Sequence, residues 1–292
     1  MKVFRRDPLI VALLAMALLS AMDALIKLVT DDLRTWQIVA LRYAIGTVMV
    51  VPFAWPHIRR GIPRSSWTPN LLRGALFVGT AAQFFFALSR LSLVEAAVLA
   101  FTAPLWFVLM GRLFLRELIT THALAALALG FVGVITVVLT GHSEGYDLAE
   151  RLDPLGIAAG LGAAVTYALA VVMVRHRSAH DAVPVMVLIQ GIAASAIAMP
   201  AAVTAWRPLS LELCVLFGLI GLLATIGHLL FAWSLKHMPV ARMAPVEYSS
   251  LVWALLFGIL LFEEYPSIAQ LVGAAVIVVA CWIVRQGRAG EP

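Results

Sequence analysis

The chain of 292 residues is 62% hydrophobic and 13% charged, with a mean hydropathy of +0.97, against roughly 45–50% and 25% in soluble domains. That balance excludes both a soluble fold and a soluble domain on a single anchor; it predicts an all-α integral membrane protein whose spans of about 20 residues fill the length with about ten helices. The net charge of +5 comes from Lys and Arg scattered through short loops. This excludes a nucleic-acid-binding face and leaves the bilayer as the macroscopic partner, with the basic residues setting orientation.

Apolar runs bounded by charges, Pro and Gly predict span 1 at 8–28, span 2 at 35–54, span 3 at 71–89, span 4 at 93–113 and span 5 at 121–140. Span 6 follows at 154–174, span 7 at 183–204, span 8 at 211–234, span 9 at 240–262 and span 10 at 266–285. Lys2, Arg5 and Arg6 before an apolar run have the look of a cleaved signal. The run from Pro8 to Leu28 is long enough to cross the bilayer, however, and is read as the first helix.

Loop by loop, Lys2, Arg5, Arg6, Arg59, Arg60, Arg64, Arg112, Arg116, Arg175, Arg177, Lys236, Arg285 and Arg288 fall on one side. Arg34, Arg90, Arg151 and Arg207 fall on the other, together with Asp31, Asp32, Glu144, Asp147, Glu150, Asp153 and Glu263. By the positive-inside rule both termini are expected in the cytoplasm, which places the chain in the inner, plasma membrane. Cys214 and Cys281 stand alone in apolar runs, so no disulfide framework, metal site or cofactor is expected.

Sliding the chain by the offset that carries Glu117 onto Glu264 also carries Gly74 onto Gly221, Phe84 onto Phe231, Trp106 onto Trp253 and Gly111 onto Gly258. Phe101 falls on Tyr248 and Thr102 on Ser249. The halves 1–146 and 147–292 therefore read as repeats of five spans each. An odd number of spans makes them inverted, the transporter arrangement with its site at the repeat interface near the midplane.

Polar groups inside spans need a partner or a wet cavity. At 1.5 Å per residue, Asp23, Arg42 and Gln83 lie about 8–10 Å inside the outer ends of spans 1–3. Tyr167, Gln190, His228 and Glu247 lie about 10 Å from the cytoplasmic ends of spans 6–9. Two polar layers, one near each mouth of a cavity, are expected from these depths. The structural alternatives are an Asp23–Lys27 or Asp23–Arg42 pair. Glu247 has no basic residue one turn away, and His228 is its candidate partner, a pair suited to a proton. Trp106 and Trp253 are candidate cavity walls, and Pro104 and Pro245 candidate hinges in spans 4 and 9. Glu117 and Glu264, at corresponding helix ends, read as caps. Small residues, Ala126, Gly130 and Gly133 in span 5 and Gly273, Ala274 and Ala275 in span 10, allow close packing within the chain or across a homodimer.

The pattern DALIK in span 1, Arg42 within QIVALRYAIG, and the paired segments VEAAVLAFTAPLWFVLMGRLFLRE (94–117) and ARMAPVEYSSLVWALLFGILLFEE (241–264) resemble the EamA family of the drug/metabolite transporter superfamily. The resemblance covers nearly the whole chain. It implies ten helices, with spans 1–4 and 6–9 around a central cavity and spans 5 and 10 at one end. It also implies transport of amino acids, nucleotide-like metabolites, vitamins, S-adenosylmethionine or drugs. Many relatives carry a Trp-Gly motif in the first helix, which is replaced here by a polar, doubly charged one.

The function expected is a secondary active or facilitative carrier of a small organic metabolite, working by alternating access. A proton-coupled multidrug or metabolite exporter is the alternative, and a membrane scaffold or intramembrane enzyme a weaker one. No HExxH or Walker motif is present in the sequence, and no GxSxG lies within a predicted span.

Overall fold

The computed structural model describes residues 7–30, 32–91, 93–140 and 153–286. Lys2, Arg5, Arg6, Asp31, Glu144, Asp147, Glu150, Arg151 and Arg288, on which part of the orientation reading rests, lie outside them. The described residues form α1 (Pro8–Val29), α2 (Thr35–Ile58), α3 (Arg64–Leu88), α4 (Leu93–Ala100), α5 (Ala103–Leu115) and α6 (Thr121–Thr140). The second half forms α7 (Pro154–Arg177), α8 (Val183–Val203), α9 (Leu211–His237), α10 (Val240–Glu247), α11 (Ser249–Phe262) and α12 (Ile268–Gln286). Among the described residues, ten segments are long and apolar enough to cross a membrane, spans 4 and 9 each being made of two helices.

Local chemistry sets the helix ends. Asp7 accepts a hydrogen bond from the Leu9 amide at 3.1 Å, and Pro8 sits in the first turn, where a missing N–H costs nothing. α3 begins at Arg64, ahead of the residue 71 expected from hydropathy. Its polar first turns are instead held by side chains from a distant turn, as described below.

Pro104 and Pro245 do not kink continuous helices. Pro104 stands in the first turn of α5, and Pro245 lies inside α10. Each ring denies its helix one amide and crowds the carbonyl four residues back, Ala100 or Ala241. The interruptions fall at Phe101–Thr102 and at Tyr248, positions that correspond in the internal repeat although the prolines flank them on opposite sides. The hydroxyl of Thr102 donates to the Leu99 carbonyl at 2.6 Å, and that of Ser249 to the Val246 carbonyl at 2.7 Å.

The same correspondence holds at the far ends. Arg116 and Glu263 adopt left-handed conformations, φ 55° and 54°. The next amides, of Glu117 and Glu264, donate back to Gly111 and Gly258 at 3.2 and 3.1 Å, closing α5 and α11 with one cap geometry.

The chain divides into two compact units, neither of which is a sequence half. Unit 1 comprises residues up to Val78 and Met173–His237; unit 2 comprises Gly79–Val172 and Met238 onward. In unit 1, α2 packs on α8 and α9, and α1 packs on α9, around Met22, Val29, Ile38, Leu41, Phe217 and Ile220. Gln37, fully buried, ties α2 to the segment before α9. Its amide donates to the Arg207 carbonyl at 2.7 Å and its oxygen accepts from the Arg207 amide at 2.9 Å.

In unit 2, α6 and α12 cross at Gly133 and Gly273. A Cβ on Gly273 would meet Val137 Cγ2 at 2.7 Å and the Gly133 carbonyl oxygen at 2.8 Å. The small residues of spans 5 and 10 thus pack within the chain. α10 lies against α5, α6 and α12, with the Cys281 thiol 3.6 Å from the Pro245 carbonyl and Tyr248 fully buried against Gly130. The Glu117 carboxylate accepts a hydrogen bond from the Val240 amide at 2.8 Å and so caps the first turn of α10. Glu117→Ala is expected to lower stability by about 1 kcal/mol, with Glu117→Gln keeping most of it. Thermal unfolding in detergent checks this.

Candidate functional site

Within unit 1, three helices enclose a cavity whose largely apolar wall carries a few polar groups. α2 contributes Arg42, Tyr43, Gly46 and Thr47; α8 contributes Val187, Gln190 and Gly191; α9 contributes Ala224, Thr225 and His228. Its free space is about 350 Å³ with open solvent at the mouth included, so the enclosed part takes a few water-sized groups, not a whole solute. Glycine at 191 is what lets α2 and α8 meet here, because a Cβ would collide with the Thr47 hydroxyl. The hydroxyls of Thr47 and Thr225 donate to the carbonyls of Tyr43 and Gly46, at 2.6 and 3.1 Å. Those bonds leave oxygen lone pairs, not protons, for a ligand.

Arg42 is half-buried. Its guanidinium lies 4.4 Å from the centroid of the Tyr43 ring, and one nitrogen is 3.8 Å from Met22 Sδ. Both contacts are soft and neutral, and neither uses the forked donors as a carboxylate would. Asp23, exposed on α1, acts on Arg42 electrostatically without forming an ion pair with it. Gln190 is 4% exposed, lines the cavity and has no hydrogen-bond partner among the described residues. His228 Nδ1 lies 2.7 Å from the Ala224 carbonyl; a carbonyl only accepts, so Nδ1 carries a proton.

A second polar cluster binds the start of α3 to the turn between α7 and α8. Asp181, 6% exposed, accepts from Arg177 Nε and a terminal guanidinium nitrogen at 2.9 and 2.8 Å, from the Ser66 hydroxyl at 2.7 Å and from Asn70 Nδ2 at 2.9 Å. Burial pushes the Asp181 carboxyl up, but the hydrogen bonds from Arg177, Ser66 and Asn70 outweigh it and hold the group below the usual carboxylate range. One turn on, Arg73 is 1% exposed and donates to the Met186 carbonyl, while its Nε and other terminal nitrogen are buried without partners.

In unit 2 the Tyr167 hydroxyl donates to Glu247, 3.2 and 3.4 Å from the two carboxylate oxygens, and stacks obliquely on Phe107 with ring centroids 5.6 Å apart. Gln83 donates to the Gly79 carbonyl at 3.1 Å and to the Thr166 hydroxyl at 3.3 Å. Trp106 on α5 and Trp253 on α11 are half-buried.

The structure does not sort these residues into the two expected layers. Arg42 from one layer shares a cavity with Gln190 and His228 from the other, whereas Gln83, Tyr167 and Glu247 belong to unit 2. The reason is dimensional. Residues 10 Å inside opposite faces of a 30 Å hydrocarbon slab are only about 10 Å apart in depth, and long Arg and Gln side chains reaching toward each other cover that difference. Glu247 pairs with Tyr167, and His228, in the other unit, with the Ala224 carbonyl. Asn70, Arg73 and Asp181 were not singled out by the sequence. The one available signal was Arg73, an ionisable residue just inside span 3.

Among the described residues, ten segments long and apolar enough to span a membrane, with a cavity among α2, α8 and α9, define a polytopic membrane protein. The chain belongs to the EamA-like transporter family, whose model matches residues 8–139 and again 154–286. It is 24% identical over 272 residues to the S-adenosylmethionine uptake transporter of Rickettsia felis, covering 92% of this chain and 88% of that one. It is 26% identical over 293 residues to the pseudopaline exporter CntI of Pseudomonas aeruginosa, covering 98% of both. A solved crystal structure shares the fold, with a TM-score of 0.81 at 19% identity, over 97% of this chain and 99% of that one.

Proposed function

We propose that this protein carries a small organic metabolite across the inner membrane by alternating access, with the unit 1 cavity as its solute site. The observation that carries the reading is the presence, in one cavity, of an Arg42 guanidinium without a carboxylate partner and a Gln190 side-chain amide without any partner among the described residues. Membership of a transporter family supports it, as do relatives named for uptake and for export. The two inverted repeats and the cytoplasmic termini belong to the same proposal, and no enzymatic step is needed by it. Spans 5 and 10 spend their small residues on each other, so a homodimer through them would use outer faces such as Val132 and Val279.

The test is uptake into proteoliposomes of labelled S-adenosylmethionine, amino acids, nucleosides and flavins. Wild-type protein is expected to move at least one solute, and Arg42→Gln to fall at least tenfold below it. Full activity in both Arg42→Gln and Gln190→Ala would overturn the site. Glu247, with a phenol as hydrogen-bond partner and no ion pair among the described residues, is the place for a coupling proton. Glu247→Gln is then expected to leave uptake indifferent to an imposed pH gradient that drives the wild type.

A further inference from the structure

The unit 1 cavity has more chemistry in its walls than a neutral solute would use. Resting on the reading of that cavity as the solute site, we infer that it selects solutes presenting an anionic oxygen group, carboxylate or phosphate, with a hydrogen-bond donor beside it. Three observations converge. Arg42 brings a permanent cation to the wall, held by Tyr43 and Met22, with no carboxylate within ion-pair distance among the described residues. A half-buried guanidinium left with soft partners lacks the bidentate oxygen acceptor that its fork fits best.

A second cation stands close behind the wall. Arg73 donates to the carbonyl of Met186, one turn before Gln190 on α8, and two of its nitrogens are buried without partners. Its acidic neighbour Asp181 already accepts four hydrogen bonds, from Arg177, Ser66 and Asn70. Arg42 and Arg73 both act electrostatically on His228, so the cavity sits in the field of two guanidinium groups. Asp23 is the acid that acts on Arg42. The two guanidinium groups favour an anion over a cation in this cavity, with Asp23 and Asp181 offsetting part of their field.

The third observation is directional. His228 uses Nδ1–H on the Ala224 carbonyl, so the tautomer with that proton offers Nε2 as an acceptor. The hydroxyl protons of Thr47 and Thr225 are likewise spent on carbonyls, leaving acceptor lone pairs. Gln190 adds an amide NH2 with two donors and a carbonyl acceptor, all uncommitted among the described residues. Anionic oxygens on Arg42 and the Gln190 NH2, with a solute N–H or O–H turned to His228 Nε2, would satisfy the cation, the amide donors and the imidazole acceptor.

Thermal stabilisation of the purified full-length protein, at ionic strength matched with chloride, tests the inference with small probes. These are glycolate, acetate, glycolamide, inorganic phosphate and ethanolammonium. Glycolate is expected to raise the melting temperature saturably and acetate to bind several-fold more weakly, while glycolamide and ethanolammonium do nothing. The phosphate arm tells whether the oxygen group accepted is carboxylate alone. Arg42→Gln should weaken glycolate about tenfold or more, and Gln190→Ala, the milder change, several-fold. His228→Ala should erase glycolate's advantage over acetate.

Stabilisation by glycolamide or ethanolammonium equal to that by glycolate would overturn the inference without needing any variant to fold. So would glycolate binding unchanged in Gln190→Ala and Arg42→Gln. Flux of neutral or cationic metabolites that glycolate leaves untouched would sink this inference and leave the transport reading standing. Glycolate binding lost in Arg42→Gln, with no flux of any solute in the panel, would uphold it and sink the transport reading.

Discussion

Asp181→Ala is expected to lower stability by about 3–5 kcal/mol, several times the cost of losing the Glu117 cap. The carboxylate takes four hydrogen bonds while almost wholly buried. Its removal strands the Arg177 cation and leaves the Ser66 and Asn70 donors unmet, the situation in which breaking a buried ion pair is most costly. Asp181→Asn keeps the shape and one acceptor and should cost about half as much. pH separates the charge from the shape. Because the folded-state carboxyl lies below its ordinary range, its stabilisation is complete above the unfolded value of about 4. That contribution is lost as pH falls through the lower folded value. The wild type's advantage over Asp181→Asn in melting temperature should therefore be flat from pH 7 to about 5 and shrink below about 4. An advantage that persists unchanged at pH 3 would show that the charge contributes nothing.

Gly273→Leu should do comparable harm by a different route. A single Cβ at this position meets Val137 Cγ2 at 2.7 Å, the Gly133 carbonyl at 2.8 Å and the Val137 amide nitrogen at 3.0 Å. Two of those obstacles are backbone, which no rotamer change can move. Overpacking commonly costs about 1–3 kcal/mol, and with α6 and α12 forced apart along their crossing, Gly273→Leu is placed at or above the upper figure. Size-exclusion recovery and melting temperature in detergent read this out. Gly133→Ala and Gly273→Ala should be less than additive, since the first separates the helices for the second. Strict additivity would mean that the two glycines do not share one contact. Val278→Ala on the outer face of α12, 55% exposed, is the control expected to stay within about 0.5 kcal/mol.

The spans were legible because apolar runs of bilayer length have little choice of structure. α1, α6 and α8 begin where hydropathy, Pro8 and Pro184 place them. The start of α3 was not legible. Its polar turn RSSWTPN reads as a loop, and its helical state is supported by Asp181, a partner far along the chain. The interruptions of spans 4 and 9 were half-visible. Phe101–Thr102 over Tyr248–Ser249 was the signal, and the prolines, out of alignment, pointed to their neighbours. Arg42, Gln190, His228 and Glu247 could be picked out as costly residues in apolar runs. Their grouping could not, because depth along a helix does not say which helices are neighbours. The pairing of α2 with α8 and α9 is a property of tertiary packing alone.

Neither compact unit is a contiguous stretch of chain, and this bears on how the protein is made. Unit 1 is incomplete until His237 has left the ribosome, and unit 2 until α12 has. When the first repeat has just been synthesised, Gln37 and Arg73 are already in place, but Arg207 and Met186, which supply their hydrogen-bonding partners, do not yet exist. The nascent protein must therefore hold buried polar groups in an unfinished state, sheltered by the insertion machinery, for the time needed to translate the second half. Split into two polypeptides between spans 5 and 6, it would regain either unit only by the fragments interleaving their helices.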